Sequence, residues 1–463
     1  MLTYIWEAYM KKHLVMIMTD HQRADAIGRA FDGKEVMPYL SSLARTGIKF
    51  NRAYTTCPLC APARTALATG KWPSESGVIY NDWSGKTARQ VKTIDDYLKD
   101  AGYSVGRIGV QHVKVKPALE SRSDYDAFYT EVDYKNFMKN LGHELGTDSR
   151  DKTPVKEWLD GTYQEKKYSN TRVSQWPFDD DLFKDAWFVD KGIDFIEKES
   201  SKPKALFLNI WAPHPPLILP TCVKDQFSIS ENVLPSNINQ TSLNEPSLRR
   251  QGIAAQLGEH ISKKEWAKVW SAHHSLLYFA DMQIKRLMAV VDKKLGLENV
   301  LFVFTSDHGD HLGQHQMYQK MEMYEQAINV PFIIRDDRLK RREVETCVSH
   351  LDLMPTVLGL LGIACDKLDG RDLSWCLEND LNIRDMPVYA QYSGNPGIGT
   401  MRRTIVDGSL KLTLDSNGDR EFYNLNSDPL EMNNLMHDPR IQDMENDLIS
   451  WCRNRQDVFT KEK

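Results

Sequence analysis

The stretch "VLFVFTSDHGDH", residues 300–311, joins a continuous apolar run to a cluster of aspartates and histidines. An apolar run of this length is typical of a strand that is buried on both faces, as in a parallel sheet. Three further runs have the same form: "HLVMIM" precedes Asp20 and His21, "YSVGRIG" leads to His112, and "ALFLNIW" leads to His214. Open α/β sheets bind ligands at the carboxyl ends of their strands. We therefore expect the four strand ends to converge on one crevice.

Segments with helical periodicity lie between these strands, for example at residues 93–102 and 185–199. This alternation predicts an α/β fold with a doubly wound, mostly parallel sheet. Near the C-terminus the pattern changes to short strands ("PVYAQY", "SLKLTLD", "EFYNLN") and a final helix, which predicts a smaller α+β subdomain. The predicted boundaries are 11–378 for the catalytic α/β domain and 379–463 for the antiparallel-sheet subdomain.

Two long polar segments, residues 117–180 and 222–257, interrupt the α/β pattern. Both are predicted to be loops or lids over the crevice. The first is rich in tyrosine and tryptophan, side chains that suit a sugar or an aryl ring as well as ordinary surface packing.

The bulk composition excludes some function classes. The chain has 463 residues, a formal net charge of -5 and a pI near 6.2, which argues against nucleic-acid binding. No stretch approaches the ~20 apolar residues of a membrane helix. Residues 1–18 place apolar side chains before the lysines, the wrong order for a secretory signal. The seven cysteines show no disulfide-scaffold spacing, so we expect a cytoplasmic protein.

The aspartates and histidines after residue 306 have the composition of a metal site, because hard cations prefer carboxylate oxygens and tolerate imidazole. Cys57 and Cys60 offer a second interpretation, a redox or metal-binding pair with Cys-x-x-Cys spacing. A zinc ribbon needs a second such pair, and the other five cysteines do not supply one.

The segment "LCAPARTALATG", residues 59–70, resembles the signature of the sulfatase family, in which Cys-x-Pro-x-Arg opens a short helix that ends in Thr-Gly. Other segments resemble the family in the same order: "MTDHQRADAIG", "GYSVGRIGVQH", "APHPP", "FTSDHGDHLGQH", "YQKMEMYEQAINVP" and "EFYNLNSDPLEMNNL". The resemblance runs from about residue 12 to about residue 435. It implies an alkaline-phosphatase-like fold.

The resemblance also implies a formylglycine nucleophile, made from Cys60 by a formylglycine-generating enzyme that acts on the motif Cys60-Ala61-Pro62-Ala63-Arg64. The hydrated aldehyde offers one oxygen for attack and a second whose deprotonation expels sulfate, so one difficult step becomes two easier ones. The family binds one divalent cation, usually calcium. The implied ligands here are Asp20, His21, Cys60, Asp307 and His308.

This chain has Asp20-His21 and Asp307-His308 where many family members have Asp-Asp and Asp-Asn. The second pair, Asp-His, is also found in some sulfatases and in phosphonate monoester hydrolases. His21 is the unusual residue. Two imidazoles make the site softer, so manganese and zinc remain alternatives to calcium.

The resemblance assigns roles to several further residues. Arg64 is expected to bind the nucleophile and a metal carboxylate, and His112 to take a proton in the elimination step. His214 and Lys320 are expected to bind sulfate and to serve the leaving oxygen. Arg402 is a further candidate for substrate binding. These matches predict the hydrolysis of sulfate esters, on a carbohydrate or an aryl compound, with a phosphonate monoester or phosphodiester hydrolase as the alternative.

One position departs from the family pattern. The lysine that normally lies two residues before the histidine is Val110 here. Three interpretations are open: Lys114 or Lys116 reaches in from the following loop, the substrate needs one cation fewer, or the enzyme is weakened. Cys57 lies where relatives have a small residue, so we predict that it only fills space.

Overall fold

The computed structural model describes residues 11–81, 88–89, 91–146, 148–159, 162–394 and 401–460. Residues 1–10, on which most of the signal-peptide interpretation rests, lie outside the described residues. Within the described residues, none of the helices combines the length and the apolar character needed to cross a membrane.

A nine-stranded sheet forms the centre of the fold. Its strands, in chain order, are His13–Thr19 (β1), Ile48–Tyr54 (β2), Ser104–Gly109 (β3), Ala127–Tyr129 (β4), Lys204–Asn209 (β5), Val300–Ser306 (β6), Asn329–Arg335 (β7), Arg342–Val344 (β8) and Val348–Ser349 (β9). The spatial order is β8-β2-β7-β6-β1-β5-β3-β4, with β9 paired to β2. Only the β6–β7 and β7–β2 pairs are antiparallel. The predicted mostly parallel sheet is therefore confirmed.

Helices cover both faces of this sheet, and the last helix packs on a separate C-terminal sheet. The longer ones are Pro38–Thr46 (α1), Cys60–Thr69 (α2), Ile94–Asp100 (α3), Glu131–Asn140 (α4), Lys184–Glu197 (α5), Lys263–Leu295 (α6), Leu353–Leu360 (α7) and Ile441–Asn454 (α8). Shorter helices span Pro73–Ser76, Ile253–Gly258, Glu325–Ile328 and Ser374–Glu378.

Strand β1 shows why the sheet needs helices on both sides. Val15 and Ile17 belong to the core that includes α5 and α6, whereas Leu14 and Met16 belong to the core that includes α3 and α7. Successive side chains of a strand point to opposite faces, so an uninterrupted apolar run must be covered twice. Each such side chain, when fully buried, contributes about 1.5–3 kcal/mol. This is the physical basis of the doubly wound arrangement.

The prediction that residues 117–180 form loops or lids was wrong in part. The segment holds strand β4, helix α4 and an antiparallel hairpin of Lys152–Leu159 with Thr162–Ser169. Most described side chains of the second hairpin strand are exposed and polar, so the strand lacks the apolar alternation that identifies strands in sequences. Residues 222–257 contain mainly short 3₁₀ turns, as expected for a loop.

A four-stranded antiparallel sheet lies near the C-terminus, as predicted. Its strands are Val388–Tyr392 (β10), Arg402–Asp407 (β11), Leu410–Asp415 (β12) and Arg420–Asn424 (β13). Strand β11 was not among the strands predicted from the sequence. Apolar residues of this sheet pack on α8, and the same cluster includes Ala66 of α2. The sheet therefore supports the helix that carries Cys60, while the division at residue 378 stays a prediction.

Candidate active site

The carboxyl ends of β1 and β6 place two carboxylates side by side. The strands are paired in parallel up to Thr19 and Ser306, and Asp20 and Asp307 follow directly. Both aspartates are fully buried. His21 adopts a left-handed backbone conformation, with φ of 68°, which is costly for a residue that is not glycine. The chain therefore turns sharply where the predicted metal residues begin.

The strand β3 ends in a glycine that the packing requires. Gly109 has φ of +109°, and a Cβ atom at this position would lie 1.9 Å from the carbonyl oxygen of Asn209, at the end of β5. Only glycine permits this close approach, which leads the chain from β3 towards His112.

Helix α2 brings the cysteine motif to the strand ends. Alanine occupies four of its ten positions, which favours a helix, and every residue of the helix is buried. Cys60 is its first residue, and Gly70 ends it in the left-handed conformation, with φ of 64°. Arg64 follows Cys60 by one helical turn, so both side chains lie on the same face.

Arg64 joins the strand ends, as the sequence predicted for one metal carboxylate. Its Nη2 donates to Asp20 Oδ2 at 2.9 Å, and its Nε donates to Asp307 Oδ2 at 2.7 Å. Its Nη1 donates to the carbonyl oxygen of Val110 at 3.3 Å. One buried guanidinium thus neutralises two buried carboxylates that would otherwise repel each other.

Four of the five predicted metal ligands form one compact group. Ligand atoms of Asp20, His21, Cys60 and His308 all lie within 4.8 Å of one another. Opposite ligands of a cation bonded at about 2.0–2.4 Å are at most about 4.8 Å apart, so the donor set fits a divalent ion. Asp307 lies beside the group, with Oδ1 3.6 Å from His308 Nε2.

Asp310 is a residue that sequence reasoning missed, although it lies within the same Asp-His cluster. Its Oδ2 is 2.8 Å from Nδ1 of His21, and its Oδ1 accepts from the backbone N–H groups of Leu312 and Gln319. The ammonium of Lys320 lies 2.7 Å from Nε2 of His21, so we assign the lone pair of the ring to Nε2 and the proton to Nδ1, which faces Asp310. In the sequence, the only sign of a role for Asp310 is that it lies three residues after Asp307, within the Asp-His cluster.

We expect the substitution Asp310→Asn to weaken divalent-cation binding by about 10–100-fold. The amide can donate to Nδ1, which would move the proton of His21 to Nε2 and remove the lone pair that faces the group. Titration of the metal-free protein with Mn²⁺, followed by calorimetry, measures the effect.

The matched control is Asp281→Asn. Asp281 is also buried and accepts from two backbone N–H groups, those of Tyr39 and Leu40, but it lies on helix α6, outside the metal group. An equal loss of affinity in both variants would contradict the assignment of Asp310 to His21.

Lys320 reaches the centre of the group. Its Nζ lies 2.7 Å from Cys60 Sγ and 2.7 Å from His21 Nε2. The lone pair of His21 therefore faces the ammonium of Lys320, and it would face a metal ion if one were bound. His214 borders the same space, with its ring edge-on to His21 at a centroid distance of 4.3 Å.

His112 lies at the edge of the site. Its Nε2 is 4.0 Å from Glu131 Oε2 on helix α4. Burial lowers the pKa of His21, His112 and His214 well below the usual histidine value, so these rings are neutral at neutral pH. A neutral His112 is able to accept a proton, as the resemblance requires of it.

The thiol of Cys60 is itself a poor nucleophile. Burial and the carboxylate of Asp20 raise its pKa to about 12, and the thiolate is the reactive form. Its Sγ lies 3.3 Å from His308 Nε2 and 3.8 Å from Asp20 Oδ1. The unmodified thiol is therefore held in its protonated form.

Cys57 takes no part in this site. It is a free thiol packed in the main hydrophobic core, and burial raises its pKa well above the usual cysteine value. Cys60 is also a free thiol, so the two do not form a disulfide. The prediction that Cys57 only fills space agrees with this position, and the Cys-x-x-Cys redox interpretation gains no support.

Val110 stands where the lysine is expected, and its backbone carbonyl accepts a hydrogen bond from the guanidinium of Arg64. Its side chain is fully buried, Lys116 is exposed, and Lys114 binds Thr65 Oγ1 through its backbone N–H. A lysine from helix α5, Lys184, lies near the site instead, with Nζ 4.0 Å from the ring centroid of Trp211. No sequence signal pointed to Lys184, because it lies in a helix that the motifs do not touch.

Arg402 lies in a buried ion-pair network. Its Nη1 donates to Glu322 Oε1 at 2.8 Å, and its Nε is 3.4 Å from Asp415 Oδ1. It also donates to the carbonyl oxygen of Met321, the residue after Lys320. These contacts hold Arg402 against the segment that carries Lys320. A contact between Arg402 and the substrate stays a prediction.

Comparison with protein families gives two matches. The family model described as Sulfatase matches residues 12–363, and the model described as N-sulphoglucosamine sulphohydrolase, C-terminal, matches residues 313–457. The first covers well over half of the chain and includes every predicted metal and catalytic residue.

Known proteins match over nearly the whole chain. The uncharacterized sulfatase YidJ of Escherichia coli K12 is 27% identical, over 97% of this chain and 88% of the relative. An arylsulfatase of Clostridium perfringens is 26% identical, over 97% and 96%. A solved phosphonate monoester hydrolase of Silicibacter pomeroyi superposes with a TM-score of 0.76 at 19% identity, over 98% and 96%, which shows the shared fold.

Proposed function

The chain belongs to the sulfatase family and is a sulfuric ester hydrolase, and from this premise we propose that it cleaves sulfate monoesters through a formylglycine made from Cys60. The observation that carries the proposal is the position of Cys60. Its sulfur lies at the start of a buried helix, within the metal group and 2.7 Å from the ammonium of Lys320. A reacting atom placed there lies beside the predicted metal ligands and a buried positive charge, both of which favour sulfate transfer.

The proposed cation would be held by Asp20, His21, His308 and the side chain at position 60, with Asp307 beside them. When bound, a divalent cation polarises the sulfuryl oxygens and favours the ionised nucleophile. Calcium, manganese and zinc are all compatible with carboxylate and imidazole donors. Arg64 holds Asp20 and Asp307 in place from the opposite side.

The formylglycine supplies, as its hydrate, one oxygen that attacks sulfur and a second oxygen that releases sulfate when deprotonated. A formylglycine-generating enzyme acting on residues 60–64 is therefore a proposed partner. His112 is neutral and accepts the proton in the release step. Arg64 orients the side chain at position 60 from one turn further along α2.

Lys320 and His214 are proposed to bind the sulfate group and the leaving oxygen. The ammonium of Lys320, 2.7 Å from Cys60 Sγ, supplies positive charge where the leaving oxygen becomes negative. His214 borders this space, with its ring edge-on to that of His21. The leaving group is part of a carbohydrate or an aryl compound.

The test of the proposal starts with the peptide that contains position 60. The protein is co-expressed with a formylglycine-generating enzyme, and the tryptic peptide is analysed by mass spectrometry. We expect the peptide to have lost one sulfur and two hydrogens and gained one oxygen. Full activity from a preparation with only unmodified cysteine would overturn the mechanism.

The same preparation distinguishes the alternative function, which the Asp307-His308 pair favours. Turnover of 4-nitrophenyl sulfate is compared with that of a phenylphosphonate monoester and of bis(4-nitrophenyl) phosphate. We expect the highest kcat/KM with the sulfate ester. Preference for a phosphorus ester would replace sulfate by phosphonate or phosphodiester as the substrate.

A further inference from the structure

A cavity of about 220 Å³ lies next to the proposed sulfate site. Apolar side chains from one helix, one short strand and several connecting segments form most of its wall: Leu145, Trp176, Phe183, Trp211, Ile218 and Leu276. It opens to solvent near residues 145 and 146, which are partly or fully exposed.

The cavity is continuous with the catalytic groups. His214 lines it, and the ring of His214 lies 4.0 Å from that of Trp211, which also lines it. Glu131 lines the cavity as well, and its Oε2 is 4.0 Å from His112 Nε2. A molecule attached to a sulfate between these histidines would therefore extend into the cavity.

The aromatic walls present their apolar faces. The hydroxyl of Tyr134 donates to the carbonyl oxygen of Leu182 at 2.8 Å, and Nε1 of Trp176 donates to the carbonyl oxygen of Asp179 at 3.0 Å. Their polar atoms are thus already bound by the protein. A ligand meets ring faces, which favour other flat rings.

Charged groups lie at one side of the cavity. Lys184 Nζ is 3.8 Å from Glu131 Oε1 and lies over the ring of Trp211. About a quarter of each side chain of this pair is exposed, 24% for Lys184 and 26% for Glu131. Glu131, Lys135 and Lys184 therefore form one charged side of the cavity, and the apolar side chains form most of the rest.

We propose that this cavity binds the alcohol part of the substrate, and that this part is a compact apolar group of one or two rings. The inference rests on the proposed function and narrows it from carbohydrate or aryl esters to aryl and similar apolar esters. Pockets for drug-sized ligands measure about 300–1,000 Å³, so a cavity below that range takes a small group and no oligosaccharide. A sugar would also lose hydrogen bonds of its hydroxyls against the apolar wall.

Binding tests this inference without any turnover. Naphthalene-2-sulfonate and inorganic sulfate are titrated calorimetrically into the protein. We expect the arylsulfonate to bind at least about tenfold tighter than sulfate, because the ring system gains apolar contact. The substitution Ile218→Trp, which fills the cavity, is expected to abolish this difference and to leave sulfate binding unchanged.

Two further variants serve as a control for the added tryptophan and as a second way to narrow the cavity. Leu243→Trp adds the same side chain at an exposed site away from the cavity, where Leu243 is 64% exposed, and should keep the difference. Leu145→Trp narrows the cavity from another wall and serves if Ile218→Trp does not fold. The inference would be overturned if the cavity variants still bound the arylsulfonate more tightly than sulfate by the same factor. It would also be overturned if Leu243→Trp lost this preference as fully as the cavity variants do.

Turnover then separates the two proposals. The modified enzyme is assayed with 2-naphthyl sulfate and glucose 6-sulfate, and the cavity variants should raise KM for the naphthyl ester alone. Hydrolysis of sulfate esters with glucose 6-sulfate preferred would refute the cavity inference and leave the proposed function standing. Tight arylsulfonate binding without hydrolysis of either ester would refute the proposed function and leave the cavity assignment standing.

Discussion

Replacing Cys60 by alanine is expected to lower kcat/KM for an aryl sulfate by about 10⁴-fold or more. The side chain at position 60 is the proposed source of the nucleophile, and no other described group lies between Lys320 and His308 at hydrogen-bond distance from both. The measurement is steady-state hydrolysis of 4-nitrophenyl sulfate by protein co-expressed with a formylglycine-generating enzyme.

The matched control is Cys57→Ser. Cys57 is equally buried and only three residues away, but it packs in the hydrophobic core. We expect this variant to lose about 1–3 kcal/mol of stability, because a hydroxyl replaces the thiol in an apolar environment, and to keep most of its activity. Equal loss of activity in both variants would restore the interpretation of the two cysteines as a functional pair.

Replacing Arg64 by alanine is expected to destabilise the metal-free protein by about 3–5 kcal/mol and to lower kcat/KM at least about 10²-fold. The variant leaves Asp20 and Asp307 buried without the guanidinium that neutralises them. A divalent cation should restore part of the lost stability, since it binds next to the same carboxylates. Urea unfolding with chelator and with Mn²⁺ measures both effects.

Arg403→Ala is the control for this experiment. Arg403 is fully buried and pairs with Asp457 at 2.7 Å, in the C-terminal sheet. We expect this variant to lose a comparable amount of stability. Mn²⁺ should stabilise it by no more than it stabilises the unsubstituted protein. If Mn²⁺ stabilised both variants to the same extent, the guanidinium of Arg64 would not act on the metal group.

Much of the architecture could be predicted because its signals are local. The apolar run at 300–306 must be a strand covered on both faces, and the polar residues after it must lie at the sheet edge. The same reasoning applied to β1, β3 and β5, and the sheet order confirms that these strands are neighbours. The second strand of the hairpin, Thr162–Ser169, was missed because its mostly exposed polar side chains carry no apolar period.

Those site residues that belong to a recognisable sequence motif could be predicted. The cysteine motif and the two Asp-His pairs identified Asp20, His21, Cys60 and His308, which do form one group. Arg402 shows the limit of this approach. No motif of the sequence places Arg402, and its charge is matched by Glu322 and Asp415 within the protein, so its contact with substrate stays a prediction.

The sequence by itself determined the strand pattern, the family and the chemical nature of the groups at the strand ends, since each depends on residues close together in the chain. Only the tertiary structure decided which partner each group meets. Asp310 reaches His21 across 289 positions, and Arg64 joins carboxylates from two strands. The apolar cavity is formed by residues from 131 to 276. Such contacts depend on strand register and helix packing, which local sequence patterns do not encode.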